Sequence, residues 1–156
     1  MKNLLFAGIV GFIISTSCSS TKTAPTFTQY DFMKMKGNWQ ITSVDYDKNY
    51  SVKPFDEGAD AQCWVGSQWK LVPNNWTGSY TLNGDGSCPS ITQPIKFEVV
   101  NGGTQFQFKK VAEGTKAKQN TVGYILNFTS FGESNFSLED NVGGVKIVYN
   151  FQKITE

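Results

Sequence analysis

The chain has 156 residues, with 14 basic against 13 acidic side chains, and it contains no histidine and no arginine. So even a balance, with scattered lysines, excludes the basic stripe that grips nucleic acid. Without those two residue types the commonest general base, the commonest transition-metal ligand and the bidentate anion clamp are all missing. The expectation is a protein that is not an enzyme, has no catalytic residues and uses no metal or cofactor.

In chain order, residues 1–17 read as a signal peptide: Lys2 is the positive start, Leu4 to Ile14 the apolar run, and Ser15-Thr16-Ser17 the small residues before a cleavage point. The apolar run falls short of the roughly 20 residues of a membrane span. Cys18 follows at once, and "ISTSC" resembles a bacterial lipobox, with Ser15 where leucine is usual. That resemblance implies cleavage before Cys18 and acylation of its thiol and new amino group, an anchor far firmer than a single acyl chain. Plain secretion with Cys18 incidental is the alternative. Residues 18–29, including "SSTKTAPT", are polar and read as a flexible tether. The absence of acidic residues just after the cysteine favours an outer-membrane anchor facing the periplasm over display on the cell surface.

Residues 30–156 form one domain of ordinary size. "YDFMKMK" (30–36) gives a short helical turn, and then strand follows strand with period two. "GNWQITSVDY" (37–46) sets Trp39 and Ile41 on one face, "SQWKLV" (67–72) Trp69 and Leu71, and "GSYTLNG" (78–84) Tyr80 and Leu82. "IKFEVV" (95–100) offers Phe97, and "TQFQFKKV" (104–111) offers Phe106 and Phe108. "TVGYILNF" (121–128) offers Val122, Tyr124, Leu126 and Phe128. "NFSLED" (135–140) offers Phe136, and "GVKIVYNFQK" (144–153) offers Tyr149 and Phe151. "NGG" (101–103) and "NVGG" (141–144) mark hairpins. The longest irregular stretches are 47–63 and 112–120. Cys63 and Cys88 remain after Cys18 is assigned to lipid, an even pair in an oxidising compartment, and they predict a disulfide worth about 3.5 kcal/mol in the loop-entropy model.

Eight sequential strands with one wet face bury their other face by curling into an all-β, antiparallel up-and-down barrel, which also removes exposed edges. An open meander or a sandwich with crossovers is the structural alternative.

A helical turn leading into G-x-W (Gly37, Trp39) resembles the N-terminal signature of lipocalins. With "CWVGSQWKLVPNNWTGSYTL" (63–82) and the lipobox, the whole domain is similar to lipocalin-like lipoproteins of Bacteroidetes-type bacteria. The resemblance implies that Trp39 lies across the closed end of the barrel, and that Gly37 lets the preceding turn pack close. Lipocalins place an arginine near the last strand over that tryptophan; here Lys153 is the nearest substitute.

Two functions follow. If room remains at the open end, Trp69, Tyr80, Phe97, Phe106, Phe108, Tyr124, Phe128, Phe136 and Tyr149 line a site for a small hydrophobic ligand, with a cavity of roughly 300 Å³ or more. If the rings interlock, the barrel is a tethered structural module that presents loops to another envelope protein, with Phe55, Trp64 or Trp76 in an exposed patch. The carboxylates Asp45, Asp47, Asp56, Glu57 and Asp60 read as a solvated acidic loop, since no histidine or EF-hand spacing accompanies them. "NGDGS" (83–87) reads as a turn, and the sequons at Asn75, Asn127 and Asn135 as chance matches.

Overall fold

The computed structural model describes residues 28–112 and 123–154. The expected signal segment, Cys18, the expected tether up to residue 27, and residues 113–122 with Val122 among them lie outside the described residues. A short helix α1 (Gln29–Met33) opens the domain, capped by Thr28, whose backbone N–H and hydroxyl both donate to Asp31.

Eight strands follow: β1 (Gly37–Tyr46), β2 (Gln68–Val72), β3 (Thr77–Asn83), β4 (Ser90–Val100), β5 (Gln105–Lys110), β6 (Tyr124–Phe131), β7 (Asn135–Val142) and β8 (Val145–Ile154). Each pairs antiparallel with the next, and β8 closes on β1, giving an up-and-down barrel. Period-two burial produces this closure: every strand places alternate apolar residues in one common core.

Two bulges re-phase that alternation. Between Ile41 and Ser43 the β1–β8 register slips by one, so burial passes from Trp39 and Ile41 to Val44. Between Phe128 and Ser130 the β6–β7 register slips likewise, and Phe131 rather than Ser130 packs against the core. β4 starts earlier than its apolar alternation alone indicates. Its first residues, Pro94 among them, pair with β3 but not with β5, and a residue without an N–H is tolerated at such a half-edge.

The connections divide between two ends. α1, the β2–β3 turn, the β4–β5 turn and the β6–β7 turn lie at the end where β1 starts. The 47–67 connection, the β3–β4 loop and the Gly143–Gly144 hairpin turn lie at the other. There Cys63 and Cys88 form a disulfide, Cα–Cα 5.4 Å, that ties the long connection to the β3–β4 loop.

Candidate functional site

The two ends are closed by different devices. At the β1 start, Trp39 is fully buried and donates from Nε1 to the Met35 carbonyl at 2.8 Å, which fixes the turn after α1 across the opening. Its ring meets Phe136 edge-on at 4.7 Å, and Phe136 stacks on Phe151 at 4.4 Å. The Lys153 ammonium lies 5.3 Å from the Trp39 ring centre and donates to the Lys34 carbonyl. Gly37 has φ +134°, and a Cβ there would lie 3.0 Å from the Lys153 side chain. The backbone angle favours glycine, and a side chain there would also have to displace the end of the Lys153 stem.

In mid-barrel the rings interlock. Trp69 meets Tyr80 at 4.9 Å, Phe108 at 5.7 Å and Phe151 at 5.6 Å. Phe97 stacks on Phe106 at 5.3 Å, and Phe106 meets Phe128 at 6.3 Å. The Trp69 Nε1 donates to Ser67 Oγ, whose hydroxyl donates to the Trp64 carbonyl, so this buried polar pair is satisfied. Of the nine expected lining residues eight are buried, and Tyr124 is half-buried at the rim.

The opposite end is filled from the 47–67 connection. Phe55, only 4 % exposed, inserts among Trp64 (4.8 Å), Phe108 (5.2 Å), Tyr124 (5.5 Å) and Tyr149 (5.4 Å). The space a carrier would keep open therefore holds this ring. The exposed patch expected of an interaction module is not formed either: Phe55 and Trp64 are buried and Trp76 is half-buried against Phe97. The physical reason is the disulfide and the apolar spacing of the loop itself, which fold Val52, Phe55, Ala59, Ala61 and Trp64 inward together.

Polar groups hold Phe55 in place. Its carbonyl accepts from Lys110 Nζ at 2.8 Å and from the Tyr124 hydroxyl at 3.1 Å. Glu57 accepts from the Tyr80 hydroxyl and from Lys110 Nζ at 3.1 Å, with only 12 % of its side chain exposed. Asp56 accepts from Tyr124 at 2.9 Å. Burial foremost, then the bond to Glu57, pushes the Tyr80 hydroxyl far above its ordinary pKa; burial and Asp56 do the same to Tyr124. Both hydroxyls therefore stay protonated and donate.

Of the five carboxylates expected in a solvated acidic loop, Asp45, Asp47 and Asp56 are exposed, while Glu57 and Asp60 are half-buried; Asp56 and Glu57 both accept hydrogen bonds from barrel side chains. Asp60 caps a 3-10 turn, accepting from the Gln62 N–H, which holds its carboxyl below the usual range, and from Tyr46 and Ser51.

These hydrogen bonds oppose backbone strain. Phe55 (φ 60°) and Asp56 (φ 53°) are both left-handed, a conformation that costs a non-glycine residue about 1–3 kcal/mol. Two buried polar atoms have no hydrogen-bond partner among the described residues, Trp64 Nε1 and the Tyr149 hydroxyl. Both belong to rings that pack directly on Phe55. Sequence reasoning missed Phe55, Glu57 and Lys110 as a unit; the signal was the irregular stretch 47–63, which carries large apolar residues at 52 and 55 and is followed at once by Trp64.

Open clefts mark the outer surface of the described residues. One of about 580 Å³ lies between the β1 exit and the β7–β8 turn, lined by Asp45, Tyr46, Asp47, Tyr50 and Lys146 among others. Another of about 290 Å³ runs beside Trp76 over Lys96, Glu98, Gln107 and Lys109, and one of about 190 Å³ borders the disulfide. No family model matches the chain, and no curated protein matches it. The closed eight-stranded antiparallel barrel is consistent with a lipocalin-like fold.

Proposed function

We propose that this chain is a non-enzymatic lipoprotein of the cell envelope. In this reading acylated Cys18 holds it to the outer membrane facing the periplasm, and its barrel takes up a small hydrophobic molecule at the end now closed by Phe55. One observation carries the proposal. The last space in an aromatic-lined barrel is filled by a ring from a loop, held in a disfavoured backbone conformation, and not by strand residues. A filler on a strand is fixed by the sheet ladder, whereas one on a loop leaves with its loop. Eight strands enclose just enough room for one small ligand once such a filler moves.

Native mass spectrometry of the protein purified from its own membranes tests this reading. The expected spectrum shows a chain beginning at acylated Cys18 with a non-covalent passenger. Addition of an apolar probe such as butylbenzene should quench the fluorescence of Trp64 and Trp69. A protein without passenger and without response to the probe would remove the carrier role, and a mass beginning elsewhere than Cys18 would remove the anchor.

The interlocked rings of mid-barrel favour a second reading, a filled barrel serving as an interaction module for another envelope protein. The same measurement separates the two, because a permanently filled barrel gives no response to the probe.

A further inference from the structure

The segment that closes the barrel has the chemistry of a ligand. Phe55 supplies an apolar ring enclosed by four other rings, and two residues on, Glu57 supplies a carboxylate received by one ammonium and one phenol. Ring and carboxylate together describe an amphipathic acid, apolar at one end and anionic at the other. The receiving groups do not belong to the loop. Tyr80 is on β3, Lys110 ends β5 and Tyr124 begins β6, so the barrel itself presents a cation and two hydroxyl donors at its mouth.

Two further features accompany this arrangement. Phe55 and Asp56 sit in left-handed backbone although neither is glycine, so the loop is held in a shape it disfavours. Among the described residues two buried polar atoms lack hydrogen-bond partners, Trp64 Nε1 and the Tyr149 hydroxyl, and both sit on rings that contact Phe55.

We propose that Phe55 and Glu57 stand in for the natural ligand, and that the site takes a small amphipathic carboxylate. Its apolar part replaces the Phe55 ring, and its carboxylate replaces that of Glu57 on Lys110 and Tyr80. This assignment rests on the carrier reading and specifies the ligand class for the same site. The loop competes with the ligand, so the apparent affinity of the resting protein is lowered by the fraction of molecules in which the loop is seated. Release of the loop also takes the Phe55 carbonyl away from Lys110 and Tyr124, which now donate to it, as the acid arrives.

The test compares three probes on the intact purified protein by titration calorimetry: 4-phenylbutyrate, its uncharged amide 4-phenylbutyramide, and butylbenzene. Phenylbutyrate is expected to bind about tenfold more tightly than the amide, a difference that Lys110→Met abolishes. Phe55→Ser, which vacates the ring site, should tighten phenylbutyrate binding by about tenfold or more. Should Phe55→Ser fail to fold, Glu57→Ala leaves the ring seated and removes the carboxylate to which Lys110 and Tyr80 now donate, and severalfold tighter binding of the acid is expected. Equal binding of acid and amide, or unchanged acid binding in the folded loop variants, overturns the carboxylate assignment. If butylbenzene still binds, the carrier reading survives that result; if no probe binds wild type or variants, both fall.

Discussion

The Lys153 ammonium sits over the Trp39 indole, 5.3 Å from the ring centre, while donating to the Lys34 carbonyl at 3.1 Å. One side chain on the last strand thereby holds the first strand, the turn after α1 and the barrel's closed end together. A lysine reaches both partners because its long stem lies along Gly37, whose missing Cβ leaves the room.

Removal of this arrangement should cost stability in steps. Lys153→Met retains the stem and loses the charge, at about 1–2 kcal/mol. Trp39→Phe loses the bond to the Met35 carbonyl and part of the plug, at about 1–3 kcal/mol, and Trp39→Ala about 3–5 kcal/mol. Urea denaturation midpoints at unchanged slope measure each step; equal stability of wild type and Trp39→Phe would show that the indole N–H bond contributes nothing.

The disulfide between Cys63 and Cys88 makes the seating of the 47–67 connection depend on oxidation. The Cys63→Ser, Cys88→Ser double variant should lose about 3 kcal/mol. Because the bridge tethers the connection that carries Phe55 and Trp64, the fluorescence of buried tryptophan should shift to the red in the native state. Denaturation with and without reductant checks the energy, and emission spectra check the location.

Tyr80, Tyr124 and Tyr149 all have pKa values raised chiefly by burial, with Glu57, Asp56 and Asp140 respectively adding to the effect. A raised folded-state pKa contributes stability that is fully present below the unfolded tyrosine pKa of about 10 and is lost as pH rises beyond it. The thermal midpoint should therefore fall steeply above about pH 10, with phenolate absorbance appearing together with unfolding. Ionisation of these hydroxyls in the folded protein near the ordinary tyrosine pKa would contradict the burial that the structure gives them.

Gly78 lies within β3 with ordinary extended backbone, yet a Cβ there would lie 2.5 Å from the Lys70 carbonyl oxygen and 3.3 Å from Ile95 and Leu71. Gly78→Ala must push β3 away from β2, at about 1–3 kcal/mol. Gly86→Ala offers the comparison: its Cβ meets nothing within 4 Å, and only its φ of +58° opposes substitution. A smaller loss at position 78 than at position 86 would mean that the strand contact yields freely.

The barrel was legible because its cause is local and repeated. Trp69 with Leu71, Phe106 with Phe108 and Ile147 with Tyr149 each announce a buried face two residues at a time, and sequential strands with short connections admit few ways of sharing one core. The bulges at residues 42 and 129 were visible only as apolar residues out of phase, Val44 and Phe131, which alternation alone reads as noise. The plug was not legible. Phe55, Glu57, Tyr80, Lys110 and Tyr124 come from four separate stretches of chain, and no spacing rule links them.

The amino-acid sequence by itself determined the strand number, their antiparallel order, the pairing of Cys63 with Cys88 and the absence of histidine and arginine chemistry, because periodicity and composition act along the chain. Only the tertiary structure decided what fills the barrel. Whether an irregular connection turns its large apolar side chains inward depends on the room left by rings on distant strands, and that room exists only after the sheet has closed.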